Sequence, residues 1–122
     1  MKAIFNRNCV LVGWYDPQRR NVFNKEMRWI GFIKNIYFFS KSSLWFGGFI
    51  GGTFVDKKGR PVAWIEGCNP RGGNTLITPN TPSIPLHPLT PLRPLKPLTP
   101  LKPLTPLEGW SNLEWSEYTN DA

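Results

Sequence analysis

A proline stands at every third position from Pro79 to Pro106, and this ten-proline repeat limits what the chain can fold into more than any other feature. Proline lacks an amide hydrogen and holds φ near about −65°, so the repeat fits neither a helix interior nor a central strand. A period of three is typical of polyproline II, which rises about 3.1 Å per residue. Collagen is excluded because glycine does not occupy each third position. We therefore predict a head at residues 1–78, a polyproline II arm at 79–108 and a C-terminal segment at 109–122.

The arm carries a stripe of leucine. From Pro85 onward the repeat is Pro-Leu-x, and the period of three places proline, leucine and the third residue on separate sides. Eight exposed leucines in one line would form a large apolar surface, so we expect them to pack on another arm or on a neighbouring head. The alternative is docking by an SH3-like domain, because 91–96 and 97–102 fit the Pro-x-x-Pro-x-basic form. The packing residues would be Leu86, Leu89, Leu92, Leu95, Leu98, Leu101, Leu104 and Leu107.

The predicted length of the arm exceeds the size of the head. From Pro79 to Leu107 there are 29 residues, which extend roughly 90 Å in polyproline II. A head of this size is only about 30 Å across. The arm therefore either projects as a rod or runs over several subunits.

The head is predicted to be all-β, a small antiparallel domain built from hairpins. Hydrophobic residues make up 40% of the chain, which excludes a wholly disordered protein. Short apolar runs at 9–15, 28–33, 44–55 and 61–66 have the character of strands rather than a helical period. Residues 56–59, Asp-Lys-Lys-Gly, indicate a hairpin turn with glycine where positive φ is needed.

Two segments of the head resemble each other. At 22–31 and at 54–65 an apolar pair is followed by an Asn-Lys or Asp-Lys turn, an arginine and then Trp-Ile. We interpret them as two related hairpins, which align only when a gap of three residues is introduced.

The run at 44–55 is apolar on both faces when it is read as one strand. A small antiparallel sheet normally buries one face and leaves the other in water, and the head has too little volume to cover both. We therefore predict self-association as a symmetric homo-oligomer. The alternative is that the arm folds back over the second face.

Four glycines in six positions interrupt this run. Glycine weakens a strand, so the cluster needs a geometric reason, either close backbone packing near a symmetry axis or a ligand lying against bare backbone. A phosphate-binding loop is disfavoured because no Lys-Ser or Lys-Thr follows. The residues predicted at an oligomer axis or a close backbone approach are Gly47, Gly48, Gly51 and Gly52.

The head is strongly basic. It has 12 Lys or Arg against four carboxylates, a formal charge of +8, and the remainder lowers the whole chain to +7. Such a surface attracts anions, and tryptophans near arginines suit phosphorylated aromatic ligands, although packing in the core is the alternative for the tryptophans. Long nucleic acid is disfavoured because no recognised binding motif is present. The predicted ligand-binding residues are Trp14, Arg28, Trp29, Arg60, Trp64 and Arg71.

Catalysis is not expected. The single histidine, His87, lies in the arm without a partner fixed by spacing, and Cys9 and Cys68 lack the spacing of a metal or redox motif. We predict no metal and no cofactor. The longest uncharged apolar run has 12 residues, against about 20 for a membrane-spanning helix, so we expect no membrane partner. Polar residues at 6–8 interrupt the apolar start of the chain, and two cysteines suit buried thiols in a reducing compartment, so we expect a cytoplasmic protein.

The C-terminal segment resumes an ordinary composition after the arm. Residues 111–114, Ser-Asn-Leu-Glu, fit a capping box, and Trp115 and Tyr118 lie three residues apart. We predict a short helix that docks its aromatic side chains, and its acidic residues suit docking on the basic head.

The head resembles a known family. Residues 14–16 (Trp-Tyr-Asp), 24–33, 46–56 and 61–64 (Pro-Val-Ala-Trp) are similar to the four-fold β-flower domain of bacterial and mobile-element proteins. The resemblance covers roughly residues 10–72. It implies a β-rich homotetramer with the glycine run near the four-fold centre, and it carries over no catalytic residue.

Two functions remain open. The first is a non-catalytic homo-oligomer, a tetramer by the family resemblance, that binds a small anionic ligand such as a nucleotide at subunit boundaries. The second is a structural assembly module that captures a protein partner through the arm. The residues alone do not decide between them.

Overall fold

The structure, a computed structural model, describes residues 1–68, residue 70 and residues 107–120. The predictions for Arg71 and for the arm at 79–106 lie outside the described residues. Of the predicted leucine stripe, the described part contains Leu107.

The described part of the head is all-β and antiparallel, as predicted. Eight strands follow one another in chain order, and β8 pairs with β1, so the sheet closes into a barrel without exposed edges. A short helix, α1, lies in the C-terminal segment. The elements are β1 (Lys2–Asn6), β2 (Leu11–Asp16), β3 (Asn21–Asn24), β4 (Trp29–Lys34), β5 (Tyr37–Ser40), β6 (Trp45–Ile50), β7 (Thr53–Val55), β8 (Pro61–Ile65) and α1 (Trp115–Tyr118). Within the described ranges, no helix has the length and apolar character needed to cross a membrane.

Four hairpins of one design make up the barrel: β1–β2, β3–β4, β5–β6 and β7–β8, the first to fourth hairpins. In each turn one side-chain oxygen accepts backbone hydrogen bonds of 2.9 to 3.1 Å from the residues two and four positions later. These turn anchors are Asn6, Asn24, Ser40 and Asp56. The residue three positions after each anchor has a positive φ: Cys9, Met27, Ser43 and Gly59.

Each hairpin also contains a break in strand register just before its turn anchor. The breaks fall at Ile4/Phe5, Val22/Phe23, Phe38/Phe39 and Phe54/Val55. A bulge bends its strand and increases the twist, which allows a sheet of such short strands to close. The near four-fold repeat therefore lies within a single chain.

The two segments predicted to be related are the second and fourth hairpins, but they align without a gap. Trp29 pairs with Phe23 in the second hairpin, and the residue that pairs with Val55 in the fourth is Pro61. The predicted three-residue gap is wrong because it matched Trp29 with Trp64, and these two tryptophans occupy different positions of the repeat.

The run at 44–55 forms two strands instead of the one that we predicted. Strand β6 ends at Ile50 and β7 begins at Thr53. Between them Gly51 and Gly52 have φ values of 58° and 83°, and two such residues in succession reverse the chain. Strands β1 and β5 were also not predicted.

Side chains on the two faces of the barrel form two clusters. Tyr15 and Phe49 lie on opposite strands of the barrel, yet their ring centroids are 4.8 Å apart, so their cluster fills the interior. The interior cluster also contains Ile4, Val22, Phe38 and Phe54, all fully buried. The second cluster, called the outer cluster, includes Phe5, Trp14, Phe23 and Trp64.

Both faces are covered within one chain. The ring of Phe5 lies 5.9 Å from that of Trp64, which in turn lies 5.9 Å from Trp110 of the C-terminal segment. Barrel closure buries the interior face, and contacts between neighbouring hairpins and with the C-terminal segment bury the outer one. A second copy is therefore not required to cover an exposed apolar face, and the homotetramer stays a prediction.

Candidate functional site

Residues 107–120, which we call the cap, lie against the fourth hairpin. The backbone N–H of Leu107 donates to the carbonyl of Gly59 at 2.9 Å, and the N–H of Ser111 donates to the carbonyl of Pro61 at 2.8 Å. The guanidinium of Arg60 donates to a backbone carbonyl of the cap at 2.6 Å. The cap thus lies along the β7–β8 turn and the start of β8.

The cap helix docks its aromatic side chains, as predicted. Trp115 and Tyr118 are both buried. The ring centroid of Trp115 lies 5.3 Å from that of Phe54, and that of Tyr118 lies 5.6 Å from that of Phe38. Because Phe38 and Phe54 belong to the interior cluster, the cap completes the core at this end of the barrel.

The capping box lies three residues later than predicted. Glu114 is the N-cap and Glu117 is its partner in the box, whereas the prediction began at Ser111. The prediction is wrong because the helix begins at Trp115, and the hydroxyl of Ser111 instead donates a buried hydrogen bond of 2.7 Å to Oδ2 of Asp56. Ser111 therefore attaches the cap to the barrel.

Tyr118 is buried with its hydroxyl aimed at the backbone. The hydroxyl donates to the carbonyl of Val55 at 2.7 Å and lies 3.4 Å from the carbonyl of Gly48. Burial, and to a smaller extent the charge of Asp56, raises the pKa of Tyr118 well above its usual value of 10.0. A phenol held in its neutral form in this way is a structural donor.

A cleft of about 650 Å³ opens between the cap and the turns of the third and fourth hairpins. Trp45 forms one wall, and its Nε1 donates to the carbonyl of Gly47 at 2.7 Å. The Nζ atom of Lys57 lies 5.7 Å from the centre of the Trp45 ring. Leu44 and Leu113 line the cleft with side chains 47% and 41% exposed. The cleft thus combines a flat aromatic wall, apolar edges and a cation.

The cleft is basic in character. Lys57, Lys58 and Arg60 line it, and none of them forms an ion pair with a described residue. Its two carboxylates accept hydrogen bonds and keep their negative charge, Asp56 from its turn and from the cap and Glu117 in the capping box, so the three cations leave a small excess of positive charge. The cleft therefore favours a negatively charged ligand.

The predicted ligand-binding tryptophans lie in the outer cluster. Trp14 and Trp64 are 1% and 3% exposed, and the half-buried Trp29 packs against the same cluster. The rings of Trp14 and Trp64 are covered by protein, which is the packing role that we held as the alternative. Binding of a ligand by these three residues stays a prediction.

The two predicted arginines that the structure describes lie in the turns of different hairpins. Arg60 lines the cleft, Arg28 is exposed in the turn of the second hairpin, and Arg71 is outside the described residues. Trp45 and Lys57, which belong to different hairpins, are not among the predicted ligand-binding residues. The repeated turn anchors are the signal that could have placed these two hairpins side by side.

The glycine cluster provides a close backbone approach within the chain. A Cβ atom at Gly47 would collide with the carbonyl of Val55 and would lie 3.0 Å from the hydroxyl of Tyr118. Gly51 and Gly52 form the β6–β7 turn. An oligomer axis at the four glycines stays a prediction.

Metal-ligating side chains are scattered in the described part. In residues 1–68, 70 and 107–120 no group of three or more His, Cys, Asp or Glu side chains could hold a metal ion. Cys9 and Cys68 are each half-buried.

Comparison with known proteins gives a family match. A family model described as "4-fold beta flower protein" matches residues 2–119. The matched range takes in the barrel and nearly all of the cap, and so extends well beyond the residues 10–72 that carried the resemblance. No curated protein and no solved structure matches the chain.

Proposed function

The chain belongs to the family of 4-fold beta flower proteins, and on that premise we propose that it is a non-catalytic binding protein. Its ligand is small and anionic, carries a flat ring, and occupies the cleft between the cap and the third and fourth hairpins. The observation that carries the proposal is the position of Lys57 above the ring of Trp45 at the wall of this cleft.

The cations of the cleft favour a ligand with negative charge. Lys57 and Lys58 are exposed there, and Arg60 is held in place by its hydrogen bond to the carbonyl of Glu108. A guanidinium has five N–H donors, so one bond to the cap leaves others for a phosphate or a carboxylate. The three cations outnumber the two carboxylates of the lining, Asp56 and Glu117, and an excess of positive charge attracts ligands of the opposite sign.

The wall of the cleft favours a ligand with a flat ring. Trp45 is half-buried, and its indole presents a surface on which a ring can stack. A cation over an aromatic face contributes about 0.5–1 kcal/mol at an exposed site, so Lys57 and Trp45 support each other. The exposed Leu44 and Leu113 would cover the apolar parts of the ligand. A nucleotide satisfies all of these requirements.

The chemistry that lines the cleft supports binding rather than turnover. Neither histidine nor cysteine is among its described lining residues. The carboxylates of Asp56 and Glu117 accept hydrogen bonds from the backbone, and Tyr118 is kept neutral by its raised pKa. General acid–base catalysis requires a group within reach of the reacting atom and with a pKa near the working pH.

Calorimetric titration of the full chain with AMP, ATP and cyclic AMP tests this proposal. Lys57→Gln should weaken binding by roughly ten-fold, which corresponds to about 1.4 kcal/mol for a lost charged contact. Lys25→Gln is the matched control, because Lys25 follows the anchor Asn24 as Lys57 follows Asp56. The control should bind like the wild type.

Either of two results would refute the proposal. One is that none of the three nucleotides binds. The other is that Lys57→Gln and Lys25→Gln weaken binding equally, which would show that the overall charge of the head attracts the ligand without a defined site.

As a second function we propose self-association, up to the predicted homotetramer, through the arm. Leu107, the last residue of the predicted leucine stripe, supports this: its backbone is bonded to Gly59 while its side chain is 41% exposed. An exposed leucine at this point is free to continue an apolar stripe onto another chain. Light scattering measures the mass in solution, where a tetramer is expected and a monomer at every concentration refutes the idea.

A further inference from the structure

The two walls of the cleft come from different parts of the chain. The barrel supplies Trp45 and Lys57 to one wall, and the cap supplies Asn112, Leu113 and Glu117 to the other. All eight strands of the barrel precede the cap, and the sheet closes without any residue of the cap. The second wall is therefore present only while the cap is docked.

The cap is held by contacts that lie outside the cleft. Trp115 is not among the described residues that line the cleft, and its ring is stacked on that of Phe38 at 6.2 Å and lies 5.3 Å from that of Phe54. Leu107 is likewise outside the lining, and its N–H donates to the carbonyl of Gly59 at 2.9 Å. A ligand can thus occupy the cleft without displacing these contacts.

The barrel wall of the cleft keeps its shape independently of the cap. Oδ1 of Asp56 accepts the N–H groups of Lys58 and Arg60 at 2.9 Å, which fixes the β7–β8 turn, whereas Ser111 of the cap contacts the other oxygen. The indole N–H of Trp45 donates to a carbonyl of its own strand. An undocked barrel would therefore keep the aromatic ring and the cations of the cleft.

A ligand would nevertheless bind the undocked barrel more weakly. Undocking removes the apolar contact with Leu113 and the exposed amide of Asn112, which can both donate and accept hydrogen bonds. It also removes the carbonyl of Glu108 that holds the guanidinium of Arg60 at 2.6 Å. The docked form offers more contacts and a better ordered cation, so the affinity is higher in that form.

The charges of the cap do not reverse this preference. The cap carries Glu108, Glu114 and Glu117, which a bound anion would repel. None of the three forms an ion pair within the described ranges, so their attraction to the lysines of the turn acts through solvent and is weakened by salt. The cap is fastened instead by ring packing and hydrogen bonds, which the anion leaves in place.

We propose that ligand binding and cap docking are coupled: a nucleotide in the cleft holds the cap on the barrel, and undocking of the cap releases the nucleotide. This coupling rests on the proposed function and describes how the same site is regulated. A ligand shifts an equilibrium between two forms by its difference in affinity for them. If only the docked form binds, the open population falls about 100-fold when the ligand is present at about 100 times its Kd.

Amide hydrogen exchange of the full chain, followed by NMR, tests the coupling. Exchange is measured without ligand and with whichever of AMP, ATP and cyclic AMP binds most tightly in the calorimetric titration. The reporting amides are those of Leu107 and Thr119, which donate to carbonyls of the barrel and of the cap helix and lie outside the lining of the cleft. Both should exchange up to about 100-fold more slowly with ligand at about 100 times its Kd. The amide of Cys9, in the turn of the first hairpin, is the control and should keep its rate.

Two substitutions at Trp115 extend the test to the affinity. The buried Nε1 of Trp115 has no hydrogen-bond partner among the described residues, so phenylalanine keeps a ring there without the loss of a hydrogen bond. Trp115→Ala should make the docked form the minor one and weaken nucleotide binding by roughly ten-fold or more, whereas Trp115→Phe should bind within about three-fold of the wild type. Because Trp115 lies outside the lining of the cleft, such a loss reports docking of the cap rather than a direct contact.

The outcomes separate the coupling from the proposed function. Nucleotide binding that leaves the exchange of Leu107 and Thr119 unchanged, or accelerates it, overturns the coupling and leaves the binding site standing. Equal slowing at Cys9 would also overturn it, because the cap would then open only when the whole barrel unfolds. Wild-type affinity in a Trp115→Ala variant whose cap amides exchange freely would have the same meaning. Failure of all three nucleotides to bind overturns both proposals.

Discussion

The hydroxyl of Ser111 donates a buried hydrogen bond of 2.7 Å to one carboxylate oxygen of Asp56, while the other oxygen accepts two backbone N–H groups of the β7–β8 turn. One side chain thus closes a hairpin turn and fastens the cap. The equivalent anchors of the other hairpins, Asn6, Asn24 and Ser40, have no carboxylate and therefore no second side-chain oxygen that could accept a hydrogen bond from the cap. The cap is attached at the one turn that has such an oxygen.

Removal of this bond should loosen the cap. Because a hydrogen bond to a charged acceptor contributes about 1.5–3 kcal/mol, Ser111→Ala should lower the free energy of unfolding by that amount. Asp56→Ala should cost more, since it also removes two hydrogen bonds of the turn. Urea unfolding followed by tryptophan fluorescence measures both. Ser116→Ala, at an exposed position of the cap helix, is the control and should be nearly neutral.

Alkaline pH should destabilise the protein through Tyr118. Below pH 10.0 the phenol is protonated in both states and adds no pH dependence. Above it the unfolded chain loses the proton while folded Tyr118 keeps it, because its pKa is raised by burial and by Asp56. The unfolded state then binds fewer protons, so the free energy of unfolding falls as pH rises.

Tyr118→Phe should remove this part of the pH dependence. At neutral pH the variant should be less stable by about 1–3 kcal/mol, because the buried carbonyl of Val55 loses its donor. Urea unfolding at pH values on both sides of 10.0 compares the slopes of the two proteins. Parallel slopes would show that Tyr118 does not govern the alkaline transition.

Gly31 is expected to resist any side chain. A Cβ atom there would collide with the carbonyl of Phe39 and would lie 2.9 Å from the ring of Phe38. Overpacking of this kind costs about 1–3 kcal/mol, so Gly31→Ala should be clearly destabilised in denaturant titrations. Gly67→Ala is the comparison, because a Cβ atom at Gly67 meets no atom within 4 Å and only its positive φ opposes the change. A cost below about 1 kcal/mol at Gly31 would contradict the collision.

Ser43→Gly should stabilise the barrel. Ser43 has φ of 70°, and its buried hydroxyl has no hydrogen-bond partner among the described residues. Glycine relieves about 1–2 kcal/mol of backbone strain and loses about 0.5–1 kcal/mol through its greater freedom in the unfolded chain. The melting temperature should therefore rise. The same substitution at the neighbouring Ser42, whose φ is not positive, should lower it.

Local features of the fold were accessible from the sequence. The turn from Asp56 to Gly59 and the strand that begins at Pro61 follow from residue types that suit a hairpin. The docking of Trp115 and Tyr118 follows from their spacing on a short helix. In each case the signal lies within a few residues.

Barrel closure and the cleft could not be predicted from local sequence patterns. Ile4 pairs with Ile65 at the other end of the head, and no local pattern reports such a pairing. Apolar residues on both faces fit a capped barrel and an oligomer equally well. The cleft depends on Trp45 lying next to Lys57, which requires the third hairpin to be recognised, and its anchor is Ser40 rather than an amide or acid.

The near repetition of the hairpin turns has a consequence for selectivity. Four identical turns would offer four equivalent docking sites, and the cap would dock at different turns in different molecules. The fourth turn differs from the others because it combines the carboxylate of Asp56 with the carbonyl of Gly59, which accepts the N–H of Leu107. A barrel of four similar hairpins therefore has a single docking site for the cap, and a few atoms distinguish this turn from the other three.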